Sequence, residues 1–366
     1  MRKYDSNYYA VIMAGGVGSR FWPVSTSNYP KQFQDMMGVG ETLLQLTYNR
    51  LAALVPPENI LILTNEAYIE IVLNQLPEIN AEQIIPEPVM RNTAPCILLA
   101  ALKIREKNPD AVMLVAPSDH WITKKEEFNK DIVAGFKAAE NSTNLITIGV
   151  KPTSPNTGYG YIKFEENEKA DSLYHLHKVE QFTEKPTLRN ARKFVENGNY
   201  AWNAGIFIWK ATAIIDEFAH HMQEMFDLFN SGKDCLNGPK EKSFIQDTYH
   251  RAQNISVDYG ILEKAENVYV IPASFDWDDL GTWGALYNKL AKDDLKNAVV
   301  NARLLPGASK NNMVYTHSQK VVVLEELEDY IIIDDKDVLL IVPKHREQEI
   351  KELRAGAMKR YGDNLG

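Results

Sequence analysis

The sequence predicts an α/β fold with a mainly parallel sheet, followed by a small β-rich domain. Apolar runs alternate with helical patterns through the first half of the chain, and a glycine-rich loop directly follows the first apolar run. Near residue 292 the pattern changes to short apolar runs separated by polar turns. We therefore assign residues 1–292 to the α/β domain and residues 293–366 to a β-rich C-terminal domain with a closing helix.

The first half of the chain alternates between apolar runs typical of buried strands and the apolar spacing typical of amphipathic helices. The predicted strands are 8–13, 60–64, 111–116 and 145–150, and the predicted helices are 42–54, 66–76, 93–107 and 125–140. Such alternation indicates a mainly parallel sheet with helices on both faces. Ligands bind such sheets beyond the carboxyl ends of the strands, where we expect the functional residues.

The second half of the chain is less regular. Strands are predicted over 157–164, 173–184 and 204–210, and helices over 187–197, 211–230 and 283–292. The C-terminal domain is predicted to contain strands 297–304, 313–316, 320–324, 330–334 and 338–342, and then a helix over 345–359.

Composition and charge argue against several classes of protein. The 366 residues carry a net charge of −9, which argues against a general nucleic-acid binder. Two cysteines far apart in sequence suggest no disulfide framework. The first apolar run, 8–13, is too short for a signal peptide or a membrane span. We expect a cytoplasmic protein that does not bind a membrane.

The glycine-rich loop is the strongest functional signal. Residues 14–20 read Ala-Gly-Gly-Val-Gly-Ser-Arg. The glycines at 15, 16 and 18 let several backbone N–H groups converge on one anion. Arg20 adds a planar positive group, and Lys31 follows within Pro30-Lys31-Gln32. The loop predicts polyphosphate binding, with a tight turn between a strand and the next element as the alternative.

This loop differs from two other phosphate-binding glycine loops. A Walker A loop ends in Gly-Lys-Ser/Thr, whereas Gly18 is followed here by Ser19 and Arg20. The dinucleotide fingerprint needs a third small residue at the position that Phe21 occupies. Neither of these nucleotide-binding classes fits the sequence.

The stretch from residue 14 to Phe33 resembles the signature of the sugar-phosphate nucleotidylyltransferases. Its Phe21-Trp22-Pro23 and Pro30-Lys31-Gln32-Phe33 segments are most similar to the mannose-1-phosphate guanylyltransferase branch. The resemblance implies a Rossmann-like nucleotide-diphospho-sugar transferase domain and a tail related to a left-handed β-helix. It also implies transfer of GMP from GTP to mannose 1-phosphate, which gives GDP-mannose and pyrophosphate. The alternatives are another hexose 1-phosphate or nucleotide, and a non-catalytic relative that binds nucleotide sugars and regulates a partner.

The same resemblance assigns residues to the nucleotide. It implies catalytic roles for Arg20, at the α-phosphate and the leaving pyrophosphate, and for Lys31, at phosphates near the transfer centre. The other implied nucleotide-binding residues are Ala14, Gly15, Gly16, Gly18, Ser19, Glu87, Asn92, Thr93 and Ser118. A carboxylate such as Glu87 accepts the N1–H and exocyclic amine of guanine, which adenine does not reproduce. Asn92 or Thr93 also suits the N-cap of the next helix, and the two roles are compatible.

Two aspartates are candidates for a metal site. Asp119 follows a predicted strand in Pro117-Ser118-Asp119-His120, and Asp279 lies in Trp277-Asp278-Asp279-Leu280-Gly281. Mg²⁺ bridging phosphate oxygens uses one or two carboxylates, and Mn²⁺ is the other candidate. The resemblance implies that both residues are metal ligands. The alternatives are a turn residue for Asp119 and a helix N-cap for Asp279.

A third group is implied to bind the sugar phosphate. Its members are Gly158, Tyr159, Gly160, Glu184, Lys185 and Asn203. Lysine is a compact charge suited to a phosphate, and Glu184 and Asn203 can hydrogen-bond to sugar hydroxyls. The alternatives are a simple hairpin at Gly158 and an exposed pair at a helix entrance for Glu184 and Lys185.

The expected reaction is an in-line attack of mannose 1-phosphate on the α-phosphorus of GTP without a covalent enzyme intermediate. Catalysis then consists mainly of positioning and charge stabilisation. We expect GTP and mannose 1-phosphate to be the binding partners, no nucleic acid, and association of the chain into a homodimer.

Overall fold

The computed structural model describes residues 5–171 and 174–366 and divides into two compact units. Of the described residues, the large unit comprises 5–15, Tyr48–Pro117 and those within Ile122–Trp277. The small unit comprises Gly16–Thr47, Ser118–Trp121 and Asp278–Gly366. No helix in the described part of the chain is both long and apolar enough to span a membrane.

The large unit is built on one nine-stranded sheet. Its strands are β1 Tyr8–Met13, β2 Ile60–Asn65, β3 Ile84–Glu87, β4 Val112–Pro117, β5 Leu145–Val150, β6 Tyr161–Asp171, β7 Leu176–Thr183, β8 Tyr200–Lys210 and β9 Val268–Pro272. Their spatial order is β3-β2-β1-β4-β8-β5-β9-β7-β6, and β8 also pairs with β6. The residue at which one predicted strand begins, Leu173, lies outside the described residues.

The sheet is mixed, which corrects the prediction of a mainly parallel one. β1 pairs in parallel with β2 and β4, β2 with β3, and β5 with β9. β8 runs antiparallel to β4, β5 and β6, and β7 runs antiparallel to β6 and β9. Buried apolar runs have the same composition in either direction, so sequence periodicity did not reveal the reversal of β8.

The described chain contains ten α-helices in its two units. They are α1 Leu43–Leu51, α2 Ile69–Gln75, α3 Thr93–Lys107, α4 Lys125–Glu140, α5 Leu188–Asn197, α6 Ala211–His221, α7 Gln223–Asn230, α8 Glu241–Tyr249, α9 Trp283–Lys289 and α10 Ile350–Tyr361. Helix α3 is buried along most of its length, in agreement with its apolar sequence. The single helix predicted over 211–230 is two helices, because Met222 between α6 and α7 leaves the helical region.

The small unit has two sheets. Its strands are β10 Ala298–Val300, β11 Arg303–Leu305, β12 Met313–Thr316, β13 Val321–Val323, β14 Tyr330–Asp335 and β15 Val338–Pro343. The first sheet has the order β10-β12-β14-β15, in which only the β14–β15 pairing is antiparallel, and the second pairs β11 with β13 in parallel. Buried Asn297 and Asn312 directly precede β10 and β12, and Asn297 Oδ1 accepts a hydrogen bond from the Asn312 backbone N–H at 3.0 Å.

Helix α10 and the C-terminus pack beside the segment that follows the glycine loop. The indole of Trp22 donates to the Leu365 carbonyl at 2.6 Å, and the Arg354 guanidinium donates to Ser27 Oγ at 3.1 Å. Phe21, Trp22 and Ile350 belong to one buried apolar cluster of the small unit. The end of the chain is therefore part of the structural support of this segment.

Candidate functional site

The small unit contains a cleft of about 250 Å³ at the end of the glycine loop. Its lining residues are Gly18, Ser19, Arg20, Phe21, Lys31, Asp119, His120, Asp279, Gly281 and Lys351. The structure thus brings together the two catalytic candidates, Arg20 and Lys31, and the two metal candidates, Asp119 and Asp279. Three segments that are distant in sequence supply these side chains, and a fourth supplies Lys351.

The glycine loop is open where the sequence predicts contact with phosphate. A Cβ atom at Gly15 or Gly16 would meet no other atom within 4 Å, so ligand atoms have room to approach this backbone. Gly18 is different, since it has a φ of 65° and a Cβ atom there would lie 2.7 Å from the Cβ of Lys31. The Ala14 backbone N–H donates to the Leu63 carbonyl at 2.7 Å and so continues the sheet.

Lys31 is the most constrained charged residue of the cleft. It is 4% exposed, and its ammonium lies 2.9 Å from Asp119 Oδ2, 2.9 Å from the Asp279 carbonyl and 3.0 Å from the Leu280 carbonyl. An ammonium has three N–H donors, and here three protein oxygens accept them. In this structure Lys31 joins the two aspartate segments, and the phosphate contact implied for it stays a prediction.

The turn that carries Asp279 has an unusual backbone. Leu280 is fully buried and has a φ of 44°, a conformation that costs free energy for a residue with a side chain. The Leu280 N–H donates to Asp278 Oδ1 at 2.9 Å, and the Gly281 N–H donates to Asp279 Oδ1 at 3.1 Å. These hydrogen bonds and the Lys31 ammonium hold the turn in place and direct it toward the cleft.

The Asp119 carboxylate is charged and accessible. Burial raises the pKa of Asp119. The Lys31 ammonium and His120 lower this pKa by a larger amount, so the net pKa lies below the usual range of an aspartate. Its side chain is 36% exposed, and Oδ1 lies 3.9 Å from His120 Nε2. Asp119 is thus an ionised oxygen donor that faces the cleft.

The donor set suits a hard divalent cation bound with substrate. Within residues 5–171 and 174–366, no three His, Cys, Asp or Glu side chains lie together as a metal-binding group. Two carboxylates in one cleft match the way Mg²⁺ binds through few protein oxygens while phosphates and waters complete its six ligands. The residues present therefore fit a metal that arrives with a phosphate ligand.

Two cations of the cleft have no protein partner among the described residues. The side chains of Arg20 and Lys351 are exposed and take part in no described hydrogen bond or ion pair. Sequence reasoning identified Arg20 but missed Lys351, which lies in the first turn of α10. No local signal distinguishes Lys351 from the other charged residues of that helix.

The candidate guanine residues lie in the large unit. Glu87 is 6% exposed, and burial raises its pKa to about 7, although side-chain interactions with Tyr249 and Cys96 lower it. Asn92 is the N-cap of α3 and accepts from the Thr93 N–H at 3.0 Å, with a φ of 64°. Thr93 Oγ1 accepts from the Val257 N–H at 2.9 Å. Ser118, the remaining nucleotide candidate, is 2% exposed in the small unit.

Most of the candidate sugar residues form one cluster in the large unit. A Cβ atom at Gly160 would lie 2.4 Å from Glu184 Oε2 and 3.3 Å from the Asn203 Cβ, so these three residues are neighbours. The Lys185 ammonium lies 2.9 Å from Glu184 Oε1, and the Glu184 side chain is 9% exposed. Tyr159 stands edge-on to Trp202 with ring centroids 4.9 Å apart. Gly158 lies at the start of this loop, where its N–H donates to Asn156 Oδ1 at 2.8 Å.

The structure adds Asp258 to this cluster. Its Oδ1 accepts from Asn203 Nδ2 at 2.8 Å, and it begins a short π-helix, Asp258–Leu262. Burial and the Glu184 carboxylate raise the pKa of Asp258 to about 6. π-Helical turns are frequent at functional sites. In the sequence, Asp258 is an isolated acid with no recognisable motif, and only the fold brings it to Asn203.

Comparison with protein families gives one match over most of the chain. The family model described as Nucleotidyl transferase matches residues 9–296. This range includes the glycine loop, both candidate metal ligands and the candidate sugar cluster.

Individual relatives match over almost the full chain. A Klebsiella pneumoniae protein named mannose-1-phosphate guanylyltransferase is 34% identical over 345 residues, which cover 93% of this chain and 72% of that protein. The Escherichia coli K12 protein of the same name is 33% identical and covers 95% and 73%, respectively. A crystal structure described as mannose-1-phosphate geranyltransferase from Thermus thermophilus superposes with a TM-score of 0.84 at 30% identity, over 97% of this chain and 99% of that one.

Proposed function

Since the chain belongs to the nucleotidyl transferase family, we propose that it transfers GMP from GTP to mannose 1-phosphate and releases pyrophosphate. The names of the relatives that match over more than nine-tenths of this chain support this pair of substrates. One structural observation carries the proposal. Arg20, Asp119 and Asp279 line one cleft at the end of a glycine loop that is open to a ligand.

The proposed reaction is a single in-line displacement. A phosphate oxygen of mannose 1-phosphate attacks the α-phosphorus of GTP. The bond between the α-phosphorus and the oxygen that bridges it to the β-phosphorus breaks. The electron pair leaves with pyrophosphate, and no proton has to be removed from the attacking oxygen because a phosphate oxygen is already anionic. The protein accelerates this step by holding both phosphates in line and by stabilising the charge that develops between them.

Arg20 is the proposed catalytic cation. Its guanidinium is exposed in the cleft without a described protein partner and can donate two hydrogen bonds to phosphate oxygens. We assign it to the α-phosphate and the leaving pyrophosphate. The backbone of Gly15, Gly16, Gly18 and Ser19, together with Ala14 at the start of the loop and with Ser118, is proposed to bind the remainder of the triphosphate.

Asp119 and Asp279 are the proposed ligands of a divalent cation, Mg²⁺ or Mn²⁺. When bound, such an ion neutralises part of the negative charge of the phosphates. Lys31 partly balances the Asp119 carboxylate and fixes the turn at Asp279, so both oxygen donors keep their place in the cleft before any substrate binds. This arrangement limits the reorganisation needed when the phosphates arrive.

The large unit supplies the proposed specificity groups. Glu87, Asn92 and Thr93 are assigned to guanine, although the last two also stabilise the start of α3 and its surroundings. Gly158, Tyr159, Gly160, Glu184, Lys185 and Asn203 are assigned to mannose 1-phosphate. The buried Glu184 carboxylate and the Asn203 amide offer acceptors and donors within one cluster, as recognition of a hexose requires.

Several larger features remain predictions. We propose that the tail is a short left-handed β-helix, and the stacking of Ala298 on Met313 and of Met313 on Ile331 supports this. We also propose a domain boundary near residue 292, a cytoplasmic location and a homodimer. Exposed apolar side chains on β11 and β13, at Leu305, Val321 and Val323, are consistent with an interface.

A substrate matrix tests the function. Purified protein is incubated with each of four nucleoside triphosphates and with mannose, glucose and fucose 1-phosphates, and nucleotide sugars are separated by chromatography. We expect GDP-mannose to form with the highest kcat/KM. Faster turnover of another pair would replace the proposed substrates, and the absence of any nucleotide sugar while GDP-mannose still binds would favour the non-catalytic relative.

A further inference from the structure

Helix α10 brings a cation into the cleft that no sequence motif indicated. Lys351 lies in the first turn of α10 and lines the cleft together with Arg20, Asp119 and Asp279. The position of α10 is fixed, because Ile350 is fully buried in the cluster that contains Phe21, the residue after Arg20. The Arg354–Ser27 hydrogen bond supports the next turn of the helix from outside the cleft.

The charges of the cleft leave Lys351 available to a ligand. Lys31, the other lysine of the cleft, is buried and donates to three protein oxygens. Lys351 is exposed, and its ammonium has no hydrogen bond or ion pair with the described residues. Among the described residues, Arg20 and Lys351 are therefore the two lysine or arginine side chains of the cleft without a protein partner, and they lie beside a loop that is open to an anion.

We propose that Lys351 is a second phosphate-binding residue, which contacts the β- and γ-phosphates of the nucleotide and the pyrophosphate released from it. This inference rests on the proposed function and extends the site to the C-terminal helix. A lysine ammonium is a compact charge on a flexible stem, and it can follow a polyphosphate as the bond to the α-phosphorus breaks. Arg20, with its planar guanidinium, suits the more strictly oriented α-phosphate.

A contact between Lys351 and the nucleotide phosphates predicts that a Lys351 variant changes the KM for GTP and not the KM for mannose 1-phosphate. Lys351→Gln removes the charge from an exposed side chain without creating a cavity. We expect the KM for GTP and the dissociation constant for inorganic pyrophosphate to rise about tenfold, which corresponds to one charge-assisted hydrogen bond. The KM for mannose 1-phosphate should change less than twofold, which distinguishes the nucleotide polyphosphate from the sugar phosphate as the source of the contact. Lys351→Arg should restore most of the affinity because the charge returns.

Lys359→Gln is the matched control. Lys359 is exposed on the same helix but does not line the cleft, so its removal changes the net charge equally. Titration calorimetry with inorganic pyrophosphate in the presence of Mg²⁺ is carried out on the wild-type chain and the three variants. The expected result is weak binding for Lys351→Gln and binding within twofold of wild type for Lys351→Arg and Lys359→Gln.

Three results would each overturn one of two claims, the inference about Lys351 or the proposed function. Equal pyrophosphate affinities of wild type, Lys351→Gln and Lys359→Gln, including no measurable affinity in any of them, would remove Lys351 from the site. An equal loss in both glutamine variants would reduce the effect to net charge and would also overturn the inference. A wild-type chain that binds pyrophosphate but forms no GDP-mannose would instead overturn the proposed function and leave the phosphate contact of Lys351 standing.

Discussion

Lys31 holds Leu280 in a left-handed backbone conformation. The ammonium donates a 3.0 Å hydrogen bond to the carbonyl of Leu280. This residue has a fully buried side chain and a φ of 44°. The same ammonium contacts Asp119 and the Asp279 carbonyl. One side chain therefore stabilises a strained turn and connects the two carboxylates proposed to bind a metal.

Replacement of Lys31 should lower stability as well as activity. In Lys31→Met, a buried carbonyl, a part-buried carbonyl and a carboxylate lose their donor, so we expect the free energy of unfolding to fall by about 3 kcal/mol. Urea denaturation measures the loss. Lys351→Gln is the comparison, because its ammonium has no described partner and its stability should change by less than about 0.5 kcal/mol. Equal stabilities of Lys31→Met and wild type would mean that Lys31 does not support the turn.

Arg20→Ala should lower turnover far more than stability. A cation that stabilises the transition state of phosphoryl transfer contributes roughly 10³ to 10⁵ in rate, and we expect a loss of about 10³ in kcat. Arg303→Ala, at an exposed position of β11, is the control and should keep the wild-type rate. Steady-state kinetics with GTP and mannose 1-phosphate measure both. An unchanged kcat in Arg20→Ala would remove its catalytic role.

The sequence predicted the elements with long, uninterrupted periodicity. Strands Tyr8–Met13 and Leu145–Val150 and helices Thr93–Lys107 and Lys125–Glu140 were predicted with the bounds that the structure has. Strand β3 was missed, because four residues that include a proline carry little periodic signal. Strand β9 is also short and was missed for the same reason.

The sequence predicted the site residues that lie in local motifs, and it did not predict features that depend on packing between distant segments. Arg20, Lys31, Asp119 and Asp279 sit in local motifs, and the fold brings them to one cleft as expected. What the sequence did not supply was the hydrogen bonding of the Lys31 ammonium, because the partners of a side chain depend on packing between distant segments. Lys351 was missed for the same physical reason.

Gly160→Ala should weaken binding of the sugar phosphate selectively. The new methyl group would lie 2.4 Å from Glu184 Oε2, so the carboxylate would have to move away from its present position. We expect the KM for mannose 1-phosphate to rise about tenfold, the effect of losing one hydrogen bond to a charged group, while the KM for GTP stays constant. Gly356→Ala is the control, since nothing lies within 4 Å of a Cβ atom there. A parallel rise of both KM values would argue against a role in the sugar pocket.

Removal of divalent metal should abolish product formation, and the aspartates should set the metal requirement. Excess chelator is expected to stop the reaction, and added Mg²⁺ to restore it. Asp279→Asn should raise the Mg²⁺ concentration for half-maximal rate by about tenfold or more, because a neutral amide is a weaker ligand. Asp234→Asn removes an exposed acid from the large unit and should leave this concentration unchanged. An unaltered metal requirement in Asp279→Asn would exclude Asp279 as a ligand.

Glu87 should make the free energy of unfolding fall as the pH rises, whereas an acid in a salt bridge makes it rise. Burial raises the pKa of Glu87 to about 7 in the folded chain, against 4.5 for the unfolded chain. Between these values the folded state binds more protons than the unfolded state, so the contribution of Glu87 is favourable at pH 4 and is lost as the pH rises through 7.

The variant Glu87→Gln isolates this contribution. Its amide does not titrate, so the free energy of unfolding of wild type minus that of Glu87→Gln should fall by about 3 kcal/mol between pH 4 and pH 8. Urea denaturation of both proteins across this range measures the difference. A constant difference would mean that the Glu87 carboxyl keeps its ordinary pKa in the folded chain. A difference that grows with pH would mean that a cation partner stabilises the carboxylate, and Glu87 would then not be a buried acceptor reserved for a guanine base.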